Sequence, residues 1–301
     1  MTFKDLSLAP RLLVNVAESG YHTPTPIQEA TIPLVLSGKD VLGCAQTGTG
    51  KTAAFALPIL QRLAATPSPV KDARVIRALI LSPTRELAQQ TYENIVQYSK
   101  GLPLKSCVIF GGVGQGAQVA ALHDGAEIVV ACPGRLMDLM GQGYVRLNWV
   151  ETFVLDEADR MLDMGFIHDV RRVLRCLPEK RQNLLFSATM PPEVEKLAMD
   201  ILVDPANVKV DPVTSTVEAI DQCLYYVDKV NKKHLPRLRP ERPEKRMRIR
   251  QPFQHALGIA ASRPLVVLDG TSARRLSLLH HAPFAFSQIA PPPVPRLRSA
   301  A

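Results

Sequence analysis

The stretch Ala45–Thr52, AQTGTGKT, decides the fold because it links an apolar strand to a helix through a glycine-rich loop. The apolar run Val41–Ala45 leads into it and is typical of a buried strand. Gly48 and Gly50 allow the backbone N–H groups of the loop to turn inward, where they can surround phosphate oxygens. The stretch therefore predicts a phosphate-binding loop, with a helix N-terminus that adds a favourable partial charge.

Two side chains at the end of this loop carry its predicted chemistry. Lys51 would reach the β- and γ-phosphates of a nucleotide, and Thr52 would bind Mg²⁺. Ala45 stands where the strict pattern has glycine. A glycine-rich turn at the start of an ordinary helix is the alternative, but strand, loop, lysine and threonine together favour the phosphate site. The predicted nucleotide-binding residues of the loop are Ala45, Gln46, Thr47, Gly48, Thr49, Gly50, Lys51 and Thr52.

A second polar motif, Val154–Asp159 (VLDEAD), ends another apolar strand. Asp156 is placed to hold Mg²⁺ through water, and Glu157 to orient and deprotonate an attacking water. An acidic helix N-cap would explain Asp156 alone, but not the strand that precedes it. Together with the loop, the motif predicts a catalytic group of Glu157, Asp156 and Lys51.

Strands alternate with helices along the first two thirds of the chain. Amphipathic stretches such as Thr84–Tyr98 lie between short apolar runs and indicate helices. This order predicts an α/β fold, with a parallel sheet and helices on both faces, whose ligands bind at the carboxyl ends of the strands. The predicted strands are Val41–Ala45, Ala78–Leu81, Cys107–Phe110, Ile128–Ala131, Phe153–Leu155 and Leu184–Phe186.

Composition excludes several other classes of protein. Hydrophobic residues make up 46% of the chain and charged residues 21%, which is ordinary for a globular protein and unlike a disordered or collagenous one. No apolar run reaches the ~18 residues of a membrane helix, so we expect no membrane partner. The N-terminus carries no signal-peptide pattern. Five scattered cysteines without a CxxC pair fit a reducing cytosol and argue against a zinc site.

The net charge of +8 lies entirely in the last 66 residues. Residues 1–235 have a net charge of −1, whereas residues 236–301 have a net charge of +9 and hold 10 of the 25 prolines. The composition changes abruptly just after His234. The charge therefore marks a boundary in the chain, and it is not a general sign of nucleic-acid binding.

The order of motifs resembles the first domain of the DEAD-box RNA helicases, whose name is spelled by Asp156-Glu157-Ala158-Asp159. The resemblance covers about residues 3–235, and the N-terminal sequence is most similar to that of the bacterial RhlE-type branch. It implies a RecA-like P-loop domain, hydrolysis of ATP with Mg²⁺, and binding and local unwinding of RNA. The other motifs in chain order are GYHTPTPIQ (20–28), PTRELAQ (83–89), Gly111-Gly112, CPGR (132–135) and SAT (187–189).

The resemblance also assigns roles to residues outside the loop. Gln28 would pair with adenine, as an amide can pair with both a donor and an acceptor edge, while Phe3 stacks on the base and Tyr21 lies nearby. A helix-surface residue is the alternative for Gln28. For the coupling and RNA residues named below, the alternatives are strand-end turns and helix caps. Coupling between the two ligands would use Asp159, Ser187, Ala188 and Thr189. Sequence-independent RNA backbone contacts would use Pro83, Thr84, Arg85, Gly111, Gly112, Pro133, Gly134 and Arg135.

Cys132 departs from the family pattern, which has threonine at this position. A thiol is a weak hydrogen-bond donor, so one phosphate contact is in doubt. The expected loss is about 1 kcal/mol, the value of a typical hydrogen bond.

The pattern of the family's second domain is missing. Residues 219–235 resemble its first strand and the start of a helix, but motifs resembling ARGxD and HRxGRxxR do not follow. An Arg/Pro-rich segment, residues 236–301, stands in their place. We interpret this segment as a frameshifted or otherwise aberrant continuation, largely irregular, whose arginines could also bind RNA without specificity.

The sequence thus predicts four parts and two candidate functions. The parts are an adenine-recognition segment (1–30), a RecA-like ATP-binding domain (31–210), a linker with the remnant of a second domain (211–235) and the tail (236–301). The first candidate is a cytoplasmic bacterial RNA helicase, impaired by the missing domain, whose partners belong to RNA turnover or ribosome assembly. The second is a nucleotide- and RNA-binding module without unwinding activity.

Overall fold

The computed structural model describes residues 1–71 and 73–210, together with two strands, 222–226 and 265–269. The chain divides into two units, Met1–Pro212 and Val213–Ala301. Within the described residues, no helix is both long and apolar enough to cross a bilayer.

A seven-stranded parallel sheet forms the centre of the first unit. Its strands follow the order β3-β4-β2-β5-β6-β1-β7, and every neighbouring pair is parallel. Strands β2, β4, β5 and β6 are buried along their whole length, as expected for a sheet covered on both faces. The strands are β1 (Val41–Cys44), β2 (Ala78–Leu81), β3 (Ser106–Ile109), β4 (Ile128–Ala131), β5 (Thr152–Leu155), β6 (Gln182–Ser187) and β7 (Ala206–Lys209).

Helices cover both faces of this sheet and create two hydrophobic cores. Neighbouring residues of β5 show the alternation, because Val154 packs into one core while Phe153 and Leu155 pack into the other. The α/β class predicted from the sequence is confirmed. A 3₁₀ helix (Phe3–Leu6) precedes α1 (Pro10–Glu18), α2 (Pro26–Leu36), α3 (Lys51–Ala65), α4 (Arg85–Tyr98), α5 (Gly116–His123), α6 (Pro133–Gly141), α7 (Ala158–Asp163), α8 (Ile167–Leu174) and α9 (Pro192–Ile201).

Most predicted strands differ from the observed ones only at their ends. Ala45 follows β1, although its N–H still donates to the carbonyl of Ser187 at 3.0 Å. Thr84 is the N-cap of α4, because its hydroxyl accepts the N–H of Leu87 at 3.3 Å. Strand β7 was not predicted, since only Val208 of its four residues is buried and the apolar signal is weak.

Apart from GYHTPTPIQ, which joins α1 to α2, the predicted motifs follow the carboxyl ends of strands, which meet at one edge of a parallel sheet. Across the sheet, Gly111-Gly112 follow β3, CPGR follows β4 and PTR follows β2. The DEAD residues follow β5, SAT follows β6 and the phosphate loop follows β1. The motifs expected to bind RNA are therefore neighbours on β3, β4 and β2, and the phosphate loop and the acidic motif flank SAT on β1, β6 and β5, although the RNA motifs separate these two in the chain.

The second unit contributes two described strands. Strand β8 (Gln222–Tyr226) pairs antiparallel with β9 (Leu265–Asp269). Strand β8 falls in the segment expected to begin a second domain, and β9 is an apolar run, LVVL, with branched side chains suited to a strand. The remainder of segment 236–301, predicted to be largely irregular, lies outside the described residues.

Candidate functional site

The phosphate loop leaves β1 through two glycines in left-handed conformations, Gly48 with φ +89° and Gly50 with φ +94°. A Cβ at Gly50 would lie only 2.4 Å from Nε2 of Gln28. Nε2 of Gln28 donates to the Gly50 carbonyl at 3.1 Å, and its Oε1 accepts the N–H of Thr25 at 3.0 Å. Only glycine satisfies both the conformation and the close approach, so Gly50 and Gln28 fix the loop against α2.

Lys51 begins α3 directly after this loop and has an unusual environment. Its side chain is buried, with the residue only 6% exposed, and its Nζ has no hydrogen-bond partner among the described residues. A buried ammonium group is costly unless an anion or hydrogen-bond acceptors compensate it. The position of Lys51 at a helix N-terminus therefore fits a phosphate ligand. Thr52, the next residue of the same turn, is half-buried.

Asp156 lies at the end of β5, on the acidic side of the site. Burial raises the pKa of this carboxyl group to about 6, with Lys51 opposing the rise and Glu157 adding to it. The group is thus still mainly ionised at pH 7. Its Oδ1 accepts the N–H of Glu157 at 3.0 Å, which leaves the other oxygen available to a cation or its water.

A magnesium ion fits this chemistry only together with a nucleotide. Within residues 1–71, 73–210 and the two short strands, no group of three histidine, cysteine or acidic side chains could hold a metal ion alone. Mg²⁺ at phosphate-transfer sites typically takes one or two protein oxygens and completes its shell with phosphates and water. A carboxylate at Asp156 and a hydroxyl at Thr52 are donors of that kind.

Glu157 is held from two sides. Its Oε1 accepts the hydroxyl of Thr47 at 3.0 Å, and its Oε2 lies 3.3 Å from a guanidinium nitrogen of Arg160. Its backbone adopts the left-handed conformation, with φ +52°, which a non-glycine residue adopts only at a cost of about 1 kcal/mol or more. The phosphate loop and the acidic motif, 110 residues apart in the chain, are thus in direct contact.

Asp159, Ser187 and Thr189 form a hydrogen-bond network beside the acidic motif. Oδ2 of Asp159 accepts both the N–H and the hydroxyl of Thr189 at 2.8 Å. The hydroxyl of Ser187 accepts the N–H of Asp159 at 3.1 Å and donates to the Thr189 carbonyl at 2.7 Å. Burial acts to raise the pKa of Asp159, but the bonds from Thr189 and Ser187 outweigh it and keep the pKa below its usual value. Ala188, between them, contributes its carbonyl to a weak contact with the Cys44 thiol.

The two aromatic residues of the predicted adenine site are engaged elsewhere in the structure. Phe3 is only 5% exposed and packs in the hydrophobic core, so little of its ring is open to a base. The hydroxyl of Tyr21 accepts a hydrogen bond from Tyr98 at 3.2 Å. Among the described residues, the Gln28 side chain bonds to Thr25 and Gly50 and makes no hydrogen bond to Tyr21. Base stacking by Phe3 stays a prediction that requires the N-terminal segment to expose the ring.

The predicted RNA residues around the end of β3 support one another. The guanidinium carbon of Arg85 lies 5.7 Å from the ring centre of Phe110, a cation–π distance. A Cβ at Gly112, whose φ is +78°, would lie 2.4 Å from a nitrogen of Arg85, so the loop passes close beneath the arginine. Arg135 donates both terminal nitrogens to the Val113 carbonyl at 3.2 and 3.3 Å.

The remaining positions of this surface are open or belong to helix starts. A Cβ placed at Gly111 or at Gly134 would meet no atom within 4 Å, so a ligand backbone can approach both. Pro133 occupies the first position of α6, where its missing N–H costs no hydrogen bond. Pro83 lies one residue before Thr84, the N-cap of α4.

Cys132 is the N-cap of α6 and makes no capping hydrogen bond through its side chain. Burial, with a further contribution from Glu86, raises the pKa of the thiol to about 11, so it stays neutral. We expect Cys132→Thr to stabilise the chain by about 1 kcal/mol, because threonine at an N-cap accepts a backbone N–H. RNA affinity should rise about fivefold, since a hydroxyl regained for a phosphate contact adds roughly 1 kcal/mol.

Thermal unfolding and fluorescence titration with a labelled single-stranded RNA measure the two effects of Cys132→Thr. Cys176→Thr is the matched control, because Cys176 is an exposed free cysteine away from the strand ends. Equal RNA affinity in the wild type and Cys132→Thr would show that residue 132 makes no backbone contact.

Sequence reasoning missed several residues that complete the site. Arg160 of α7 pairs at i,i+3 spacing with Glu157, the N-cap of this helix, a signal visible in the sequence. Phe110 and Val113 gave no signal in the sequence. The ring of Phe110 packs against Arg85, and Val113 binds Arg135 only through its backbone carbonyl.

A glycine-rich loop between a central strand and a helix, with acidic residues at a neighbouring strand end, defines a P-loop nucleotide-binding domain of the RecA-like class. Residues 25–197 match the family model described as DEAD/DEAH box helicase. The chain belongs to this family.

Curated relatives and a solved structure agree with this assignment. The chain is 45% identical over 227 residues to "ATP-dependent RNA helicase CshA" of Limosilactobacillus reuteri, which covers 75% of this chain and 44% of the relative. It is 46% identical over 226 residues to "RNA helicase CrhR" of Synechocystis sp., with the same two coverages. The crystal structure of a DEAD box protein from Methanococcus jannaschii superposes with a TM-score of 0.64 at 38% identity, covering 79% of this chain and 63% of that one. The chain spans less than half the length of the two curated relatives.

Proposed function

We propose that this chain binds ATP and RNA at the carboxyl edge of its sheet and hydrolyses ATP as the first domain of an ATP-dependent RNA helicase. The observation that carries the proposal is the order of motifs across that edge. The ends of β5, β6 and β1 bring the phosphate loop to the acidic motif, and the ends of β3, β4 and β2 bring the predicted RNA residues together. Names of the relatives support the same activity.

On the nucleotide side, each residue has a role that its position supports. Lys51 neutralises phosphate charge from a buried position that has no other partner among the described residues. Gln28 holds Gly50 and keeps one amide N–H that could reach adenine. Glu157 orients and deprotonates the attacking water. Mg²⁺ bound by Asp156 and Thr52 would supply charge neutralisation on the phosphates when it is present.

On the RNA side, the proposed contacts are to the sugar-phosphate backbone. The N-termini of α4 and α6 present backbone N–H groups and the hydroxyl of Thr84, while Arg85 and Arg135 add positive charge. The Asp159–Ser187–Thr189 network joins the start of α7 to the carboxyl end of β6, and we assign it the coupling between the two ligands. Contacts of this kind select a backbone, not a base sequence.

Hydrolysis by this chain should be weak, and unwinding should be absent. Residues 236–301 contain neither arginine motif of the family's second domain. An arginine that stabilises the transferring phosphoryl group contributes about 10³–10⁵ to turnover in related enzymes. The second candidate is a nucleotide- and RNA-binding module without hydrolysis. The lack of the two arginine motifs in residues 236–301 also favours this alternative.

Phosphate release from ATP, measured with and without single-stranded RNA, separates the two candidates. The proposal expects slow hydrolysis that RNA stimulates and that Lys51→Ala removes, because the buried ammonium group is lost. Binding of a fluorescent ATP analogue without any phosphate release would favour the binding module. Neither binding nor release in the wild type would contradict both.

A further inference from the structure

The contact between Thr47 and Glu157 joins two parts of the site that a bound nucleotide would have to separate. Thr47 lies on the exposed side of the phosphate loop, whereas Glu157 is only 5% exposed at the end of β5. The hydroxyl of Thr47 nevertheless reaches Oε1 of Glu157 at 3.0 Å. The loop is thus bonded directly to the carboxylate to which we assign the activation of water.

The distances required by hydrolysis do not fit this contact. A water activated by Glu157 would sit about 3 Å from the carboxylate oxygen and about 3.5 Å from the phosphorus. The carboxylate and the phosphorus must then be roughly 6 Å apart, with the loop on the far side of the phosphate. A side chain of the loop in direct contact with Oε1 occupies the space that the water and the γ-phosphate need.

Arg160 explains why only the Thr47 contact has to break. It lies on α7, and its guanidinium is 3.3 Å from the other oxygen of Glu157, Oε2. Its guanidinium can hold the carboxylate in the same orientation while Oε1 turns to a water. The left-handed backbone of Glu157, with φ +52°, further restricts where the side chain can point.

We propose that Thr47 is a positioning residue that holds Glu157 to the phosphate loop and competes with the γ-phosphate of ATP for this space. This inference rests on the proposed function of the site. Binding of a nucleoside triphosphate breaks the Thr47–Glu157 bond, so part of the binding free energy is spent on releasing Glu157. A nucleoside diphosphate, which lacks the γ-phosphate, leaves the bond in place.

The test is the affinity of the full chain for a fluorescent, non-hydrolysable ATP analogue and for the matching ADP analogue. Thr47→Val removes the hydroxyl and keeps the branched shape, so we expect the ATP analogue to bind about fivefold tighter, the equivalent of one hydrogen bond. Affinity for the ADP analogue should stay the same. Thr47→Ser keeps the hydroxyl and should behave as the wild type. Thr47→Ala lacks both the hydroxyl and the β-branch, so comparing it with Thr47→Val shows whether the branch affects binding.

A double-mutant cycle shows whether the effect passes through Glu157. In a Glu157→Ala background the acceptor is gone, so Thr47→Val should no longer change the affinity for the ATP analogue. Unchanged or weaker binding of the ATP analogue by Thr47→Val alone, or an equal gain for both analogues, would overturn the inference. Failure of the wild type to bind either analogue would instead contradict the proposed function.

Discussion

Glu157→Gln should lower RNA-stimulated ATP hydrolysis by about 10²–10⁴, because a positioned general base contributes this much and an amide cannot accept the proton. The substitution preserves the size of the side chain and an oxygen for the Thr47 hydroxyl, so nucleotide affinity should change far less. Single-turnover phosphate release with radiolabelled ATP measures the first quantity, and titration with a fluorescent ATP analogue the second. The loss should therefore appear in the rate of hydrolysis, with binding retained.

The matched control for this prediction is Glu179→Gln. Glu179 is exposed and lies in the turn before β6, outside the strand ends that carry the site. The Glu179→Gln variant should hydrolyse ATP at the rate of the wild type. Hydrolysis by Glu157→Gln within threefold of the wild type would assign the activation of water to another group.

Arg77→Met should destabilise the chain by about 3–5 kcal/mol, the cost of removing one partner from a buried ion pair. Arg77 is 1% exposed and lies 2.6 Å from Oε1 of Glu151 and 3.7 Å from Oε1 of Glu127. It also donates to the carbonyls of Leu63 and Thr66 at the end of α3, at 3.0 and 3.1 Å. Methionine fills a similar volume but leaves both carbonyls without this donor and Glu127 with Arg74 as its remaining partner.

The free energy of unfolding in urea, followed by circular dichroism, measures this loss. Arg77→Lys keeps the charge but not the planar fork, and should fall between the wild type and Arg77→Met. Arg146→Met is the control, because Arg146 is exposed and should change stability by less than about 0.5 kcal/mol. A loss below 1 kcal/mol for Arg77→Met would mean that the buried network contributes little.

Much of the fold was predictable because its signals are local in the sequence. Ala78–Leu81 and Ile128–Ala131 are continuous apolar runs, and they form strands with these bounds. The glycines at 48 and 50 indicated the conformation that the loop adopts, with both φ angles positive. A strand without an apolar run, such as β7, gave no comparable signal.

The contacts between motifs could not be predicted, because they depend on the order of strands in the sheet. In the chain, PTR after β2 comes before Gly111-Gly112 after β3 and CPGR after β4. In the sheet, however, β2 lies between β4 and β5, and β4 separates it from β3. Phe3 shows a related limit. The resemblance assigns it to the base, and this assignment stays a prediction, because the ring packs in the core of the structure.

The division of the carboxyl edge into two neighbouring sites is the central claim, and binding titrations with two variants test it most directly. A fluorescent ATP analogue and a labelled single-stranded RNA are each titrated into the wild type, Lys51→Ala and Arg85→Ala. Lys51→Ala should lose nucleotide affinity and keep RNA affinity, while Arg85→Ala should lose RNA affinity and keep nucleotide affinity. A single variant that loses both ligands equally, or normal binding of both by each variant, would contradict the claim.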